Sequence, residues 1–437
     1  MNSSSPLRTI VLFFAGLIIL GTALLCLPFA RTGETLSIVT CLFTATSAVC
    51  VTGLVVVDTG TYFSAFGQIV ILCLIQIGGF GYMIVSTGLG LLLGKMALKD
   101  RKIMQELFDI KSFNDLLHLF KKAIILVLLI EFAGAVFLTL EFLNRYPLSK
   151  SVYLGIFHSI SAFCNAGFSP FANSLENFAD SPLMLYTTGI LIILGGLGFF
   201  VLVDIIDRLK GKTNTLTFHS KIILWITAVL ILAGMISFYF GESIAYLSKD
   251  NIFLFNNSFF QTVSARTAGF NSIPMGAMTT SATFLIIILM FIGGGPGSTA
   301  GGMKITTLAL VFIFVRSVLK GENEYHMAKR NIESDLVKKA LAIFIVMLLL
   351  MSFFTLILMY VEPHIDAIKV IFESVSAFCT VGLSLGVTPV LSDLGKITLI
   401  VAMFVGRIGA VTMLIYLVNL NVTKSNIKYP DAKVLIG

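Results

Sequence analysis

Four short stretches decide the fold: SAVCVTGL (Ser47–Leu54), SAFCNAGF (Ser161–Phe168), SARTAGFN (Ser264–Asn271) and SAFCTVGL (Ser376–Leu383). Aligned on Gly53, Gly167, Gly269 and Gly382, they recur at intervals of 114, 102 and 113 residues. Leu or Phe follows every one of these glycines, and three of the four have cysteine three residues earlier. The third stretch has one residue fewer between its Ser-Ala and its glycine. Self-similarity at near-constant spacing marks a repeated structural unit.

Each stretch closes a short apolar segment, at roughly 36–51, 149–164, 252–266 and 365–379. Longer apolar runs flank them, beginning near Thr9, Ala65, Lys122, Leu183, His219, Ser281, Lys338 and Leu394, and predict eight transmembrane helices. The short segments cannot cross a hydrocarbon core of about 30 Å, so they must enter and return. Composition agrees: 57% of the 437 residues are hydrophobic and 12% charged, against about 25% charged in a soluble domain, and mean hydropathy is +0.97. No polar block of domain size interrupts the chain. The expected architecture is an all-α integral membrane protein, one domain over 1–437, in four helix–pore helix–helix repeats (1–94, 95–210, 211–320 with a broken inner helix, and 321–437) with pseudo-four-fold symmetry around a central ion pore.

The net charge of +7 does not imply nucleic acid, because the basic residues lie between hydrophobic spans and not on a polar domain. Seven fall in 95–122 (Lys95, Lys99, Arg101, Lys102, Lys111, Lys121, Lys122), four in 208–221 and six in 316–339. With Arg8, Lys424, Lys428 and Lys433 these make 21 of the 30 Lys and Arg, which predicts cytoplasmic termini and pore helices entering from outside. Cys26, Cys41, Cys50, Cys73, Cys164 and Cys379 sit in apolar segments without paired spacing and read as small buried hydrophobes. The apolar run 10–30 is long enough to span and is read as a mature helix, not a signal peptide.

A cation crossing a bilayer needs substitutes for its water shell, and backbone carbonyls supply them. Glycine permits the backbone that turns such carbonyls to one axis. One re-entrant loop gives part of a ring; four in register close it. Each preceding pore helix aims its partly negative C-terminus at the same point. No carboxylate stands in the four stretches; Asp58 lies just beyond the first and is expected in an outer mouth.

These residues resemble the Ktr/Trk/HKT potassium transporter superfamily over nearly the whole chain, most of all the membrane subunit of a bacterial Ktr-type system. The resemblance implies a selectivity filter at Val51, Thr52, Gly53; Asn165, Ala166, Gly167; Thr267, Ala268, Gly269; and Thr380, Val381, Gly382. It also implies K+ uptake in a bacterial plasma or inner membrane, often with Na+ as coupling or activating ion. Partners so implied are a second copy (a homodimer) and a cytosolic nucleotide-binding regulatory subunit ring, with nucleotide entering only through that subunit. Membrane lipid is a further partner and nucleic acid is not. Serine at the first filter glycine accompanies sodium permeation in plant relatives; Gly53 here favours potassium. The two further N-terminal helices of Trk-type relatives have no counterpart in the sequence.

The stretch Ile292–Lys304, IGGGPGSTAGGMK, interrupts an apolar run that would otherwise extend from Ser281 to Val318. Glycine costs about 1 kcal/mol and proline about 3 inside a helix, so regular helix cannot continue there. Irregular backbone at membrane depth must be enclosed by protein or line a cavity. Gly294, Gly295, Pro296, Gly297, Ser298, Thr299, Ala300 and Gly301 therefore read as a movable gate below the filter, with the Ser298 and Thr299 hydroxyls offered to a passing ion, and the resemblance agrees. A GxxxG packing face from Gly297 to Gly301 is the competing reading; a P-loop is excluded because GxxxxGK[ST] is missing. Arg407, in the middle of the last span, must find acceptors: the gate loop's carbonyls and hydroxyls, or a carboxylate such as Glu131. Arg266 is expected to tie pore helices together through Glu373, Lys304 to reach the cytoplasmic surface, and His158 to pack or hydrogen-bond.

Three other functions remain open on sequence. Alternating access is disfavoured by parallel rather than inverted repeats. An intramembrane enzyme lacks a nucleophile–base or metal constellation. A non-conducting scaffold is disfavoured by four intact glycines.

Overall fold

A computed structural model of the chain describes residues 6–33, 37–92, 113–242, 250–322, 324–328 and 330–409. Lys95, Lys99, Arg101, Lys102, Lys111, Lys424, Lys428 and Lys433, on which much of the predicted topology rests, lie outside them.

The element order repeats four times. The first unit has an outer helix α1 (Pro6–Leu25), a pore helix α2 (Ile38–Val49), a short α3 (Thr59–Tyr62) and an inner helix α4 (Ala65–Leu92). The second has α5 (Phe113–Leu143), pore helix α6 (Leu148–Phe163), and an inner pair α7 (Pro182–Leu197) and α8 (Phe199–Leu209). The third has α9 (Phe218–Glu242), pore helix α10 (Asn251–Ala265), and inner helices α11 (Thr280–Phe291) and α12 (Ile305–Lys320). A small hairpin, β1 (Tyr325–Met327) with β2 (Arg330–Ile332), leads into the fourth: α13 (Ser334–Val361), pore helix α14 (Ala367–Phe378) and α15 (Asp393–Ile408). The strands pair Tyr325 with Ile332 and Met327 with Arg330, a feature the sequence did not announce.

The pore helices are 12, 16, 15 and 12 residues long, or about 18–24 Å at 1.5 Å per residue, too short to span. Their inner halves are buried all round although rich in Ser, Thr, Asn and Gln; Ser258, Gln261, Thr262 and Ser264 have no exposure in α10. The outer helices behave oppositely. Phe132 on α5, Trp225 and Phe240 on α9, and Tyr360 on α13 are all at least 66% exposed, an apolar girdle that needs lipid as its solvent. In the last two units a buried glutamate ends the outer helix and supports the start of the inner one. Glu242 accepts from the Thr279 N–H and hydroxyl, both at 2.8 Å, and Glu362 from the Ser392 N–H at 2.7 Å.

Sequence predicted one broken inner helix; the structure breaks or kinks three, and the fourth, α15, ends at the last described residues, Ile408–Gly409. The cause is a four-residue pattern, Gly78-Gly-Phe-Gly81, Gly195-Gly-Leu-Gly198, Gly294-Gly-Pro-Gly297 and Gly406-Arg-Ile-Gly409. The last glycine of each has positive φ: 63°, 98°, 69° and 96°, a left-handed region costly for other residues. At Gly198 the axis turns by 102° between α7 and α8. In three units the first glycine lets the inner helix pass against the last carbonyls of its own pore helix: a Cβ at Gly78, Gly195 or Gly406 would overlap the carbonyl oxygen of Val49, Phe163 or Phe378. Cys73 is exposed, against the expectation of burial, while Cys50, Cys164 and Cys379 are the buried C-caps of three pore helices.

Candidate functional site

Each pore helix ends in the same way. After the capping residue (Cys50, Cys164, Arg266, Cys379) comes a non-glycine residue with positive φ: Val51 at 55°, Asn165 at 58°, Thr267 at 70° and Thr380 at 50°. Two residues later stand Gly53, Gly167, Gly269 and Gly382, with φ of 94°, 67°, 79° and 100°. Thr52, Ala166, Ala268 and Val381 between them are not left-handed. Positive φ thus alternates along each triplet. A left-handed non-glycine residue costs on the order of 1–3 kcal/mol, and such residues concentrate at functional sites; here four occur in register.

The serine of each Ser-Ala pair holds this conformation, a role not read from the sequence although the repeat displayed the residue. Ser47 and Ser376 accept through Oγ from the Gly53 and Gly382 N–H groups at 3.0 and 3.1 Å. Ser161 donates to the Phe168 carbonyl at 2.8 Å, and Ser264 to the Phe270 carbonyl. The serine carbonyls accept from Thr52, Ala166 and Val381 N–H, each at 2.8 Å and five residues on. In the third unit the donors are Ala268, four residues on at 2.9 Å, and Gly269, five residues on at 3.3 Å. The missing residue is thus absorbed at the helix end, and the glycine keeps its place.

The four glycines meet in cyclic order. A Cβ on Gly53 would lie 3.1 Å from the Gly167 Cα; one on Gly167, 2.9 Å from the Gly269 Cα; one on Gly269, 3.0 Å from the Gly382 Cα; and one on Gly382, 3.0 Å from the Gly53 Cα. Each would also meet the carbonyl oxygen preceding the neighbouring glycine: Ala166, Ala268, Val381 and Thr52 in turn. Thus the four short stretches, hundreds of residues apart at the extremes, form one closed ring in which no side chain fits at these positions.

The loop 292–304 lies against that ring. Its base is closed by Gly293 N–H to Met303 carbonyl at 2.9 Å and Ile305 N–H to Gly294 carbonyl at 3.0 Å. One edge is fastened to the break between α7 and α8: Gly295 N–H to Gly196 carbonyl at 2.8 Å, Thr299 N–H to Gly195 carbonyl at 3.2 Å, and Phe199 N–H to Gly297 carbonyl at 3.2 Å. The Pro296 carbonyl sits where a Cβ on Gly198 would go. The Thr299 hydroxyl donates to the Phe163 carbonyl at 3.1 Å, Gly301 N–H donates to Thr267 Oγ1 at 3.2 Å, and Gly301 also packs on Cys379 and Thr380. The loop therefore touches the ring residues of the second, third and fourth units. Its turns at Gly297 and Gly302 are left-handed, so a helical GxxxG face does not exist here. Ser298 Oγ has no partner among the described residues, whereas the Thr299 hydroxyl is committed.

Arg407 completes the contact. Its guanidinium donates to the Thr299 carbonyl and to the Gly78 carbonyl, both at 2.6 Å. It thereby joins the loop of the third unit to the inner-helix break of the first. Of the two readings, carbonyl acceptors are the ones found; Glu131 instead accepts from the Gln76 amide at 3.1 Å through both oxygens. The expected Arg266–Glu373 pair does not form. Glu373 is six residues before the cap of its pore helix, about 9 Å along the axis, while Arg266 is itself the cap. Arg266 donates to the Gly293 carbonyl at 3.3 Å, and Glu373 accepts from Ser384 at 3.0 Å and from Thr388. Lys304 does not extend to the surface; Nζ turns back to the Ala300 carbonyl at 2.6 Å. Asp58 is a helix N-cap, accepting from Gly60 and Thr61 N–H at 2.6 and 2.9 Å. His158 is a fully buried hydrogen-bonding residue, as expected.

A family of cation transport proteins, TrkH, matches residues 2–428. The chain belongs to this family. It is 37% identical over 437 aligned residues to Ktr system potassium uptake protein B of Bacillus subtilis, covering 99% of this chain and 97% of that one. The protein of the same description from Vibrio alginolyticus is 39% identical, with 98% and 94% covered. The potassium/sodium uptake protein NtpJ of Enterococcus hirae is 36% identical, with 99% and 97% covered. Its fold matches the crystal structure of the potassium transporter TrkH from Vibrio parahaemolyticus at a TM-score of 0.73 and 21% identity, covering 95% of this chain and 86% of that one. This chain is accordingly an integral membrane protein of the TrkH fold within the Ktr/Trk group.

Proposed function

We propose that this chain is the membrane subunit of a Ktr-type system and takes up potassium by channel-like conduction through the ring of four loops. Carbonyls of the triplets ending in Gly53, Gly167, Gly269 and Gly382 serve as the selectivity filter around a pseudo-four-fold axis, one triplet from each of the repeats 1–94, 95–210, 211–320 and 321–437. The single observation that carries this reading is the cyclic approach of the four glycines, each too close to its neighbour's backbone for a Cβ. Residues 294–301 and Arg407 form the gate: the loop blocks the ring from below, and the guanidinium adds a fixed positive charge that repels a cation. Potassium as cargo is supported by the relatives' names, and a sodium relation by the Enterococcus protein's. In that setting the chain is a homodimer in a bacterial plasma membrane with both termini cytoplasmic. Sodium stimulates it, and a cytosolic nucleotide-binding ring controls the gate.

The test is rubidium or potassium uptake in bacteria stripped of their own potassium uptake systems, with and without a regulatory subunit and at varied sodium, beside Gly269→Ser. Saturable uptake that the variant loses or makes less selective supports the filter. Correctly inserted protein that gives no uptake in either setting defeats the reading.

A further inference from the structure

Three residues before the Ser-Ala serine, each pore helix carries a polar side chain: Thr44, His158, Gln261 and Glu373. All four are at most 1% exposed. A polar group buried at membrane depth needs a partner, and three of these find one eleven residues on, in the strand leaving the ring. His158 Nε2 meets Ser169 Oγ at 3.0 Å, Gln261 Nε2 meets Ser272 Oγ at 3.5 Å, and Glu373 accepts from Ser384 Oγ at 3.0 Å. With its amide turned over, Gln261 instead accepts from the Ser272 N–H at 3.0 Å and the Ile273 N–H at 3.3 Å. Two of these serines also fix the turn beyond: Ser169 accepts from Phe171 N–H and Ser384 from Gly386 N–H, both at 3.0 Å.

The first unit differs. Thr44 turns back to the Thr40 carbonyl at 3.0 Å, and eleven residues on stands Val55, which offers no side-chain hydrogen bond. Three walls of the ring are therefore tied to their pore helices by a polar brace beyond the glycine, and the first has no such brace.

We infer that His158–Ser169, Gln261–Ser272 and Glu373–Ser384 set the width of the ring and so its preference for potassium over sodium, acting as positioning residues that do not touch the ion. The inference rests on the proposed filter. A sodium ion is smaller, and carbonyls can gather round it only if the walls move inward; a wall braced to a buried helix resists that motion. The strands carrying the serines begin at Phe168, Phe270 and Leu383, directly beyond the ring glycines, so displacement of a serine reaches the ring carbonyls through two or three peptide units.

The test is the ratio of KM for potassium to KM for sodium in whole-cell uptake, with membrane protein quantified. Ser384→Ala and Glu373→Leu each remove one brace, and the preference should fall about threefold to tenfold, the range of one ordinary hydrogen bond. Glu373→Gln keeps an acceptor for Ser384 and should retain the preference. Thr44→Ala should leave it unchanged. A lower maximal rate with an unaltered ratio in Ser384→Ala and Glu373→Leu means a merely structural role and overturns the inference. Gly269→Ser separates the two levels: if it shifts the ratio while the brace variants do not, the filter stands and the braces fall. If Gly269→Ser leaves the ratio untouched as well, both fall.

Discussion

Replacing Arg407 by alanine removes two charge-assisted hydrogen bonds of 2.6 Å, one to the loop at Thr299 and one to the first unit at Gly78. A hydrogen bond to a charged group contributes about 1.5–3 kcal/mol. Only the bond to Thr299 ties the loop to Arg407, so the closed arrangement should lose about that much, equivalent to roughly 10- to 100-fold in the open-to-closed ratio. Loss of the positive charge acts in the same direction by lowering the barrier to a cation. The assay is rubidium influx into potassium-uptake-deficient cells expressing this chain without a regulatory subunit, where a closed gate keeps influx low. Arg407→Ala should raise that influx at least tenfold while inserted protein stays comparable. Arg407→Lys should fall between, because an ammonium keeps the charge but cannot reach both carbonyls as a planar fork does. Influx equal to the parent's in Arg407→Ala, with protein properly inserted, refutes the latch and the barrier together.

Gly53→Ala should abolish most uptake without abolishing insertion, since its Cβ overlaps the Ala166 carbonyl and the residue is left-handed at φ 94°; uptake against immunodetected protein checks this. Lys304→Met removes the bond to the Ala300 carbonyl and should raise basal influx by a smaller factor than Arg407→Ala, because that bond lies within the loop, whereas Arg407 ties the loop to the first unit at Gly78. Glu131→Leu leaves the buried end of the Gln76 amide without its acceptor and should cost about 1–3 kcal/mol of stability, whereas Glu131→Gln should cost less; thermal unfolding in detergent measures both.

What the sequence disclosed follows the periodicity of the chemistry. Gly53, Gly167, Gly269 and Gly382 stood out because each needs the same backbone, and the re-entrant segments because they are too short for a bilayer. The GxxG patterns at 78–81, 195–198 and 406–409 are equally visible as letters. Without the pore helices in place, two or three glycines in an apolar run read as tolerated helix residues. Opposite charge alone pairs Arg266 with Glu373; their separation along the pore helices depends on depth, which sequence does not display. The polar residues Thr44, His158, Gln261 and Glu373 were hidden by their different chemistry at one shared position. The hairpin of 325–332 gave no signal in so short a run.

Arg407 occupies the second position of the fourth GxxG, where the other three units have Gly79, Gly196 and Gly295. In an assembly of four identical subunits, any residue chosen for that place would appear four times, and four guanidinium groups would crowd one narrow spot with their mutual repulsion. Joining the repeats in one polypeptide lets each diverge alone. Stoichiometry of one to four then becomes available at the axis: a single cation among three vacancies, and a single loop spanning the floor. That inequality is something a homotetramer cannot encode.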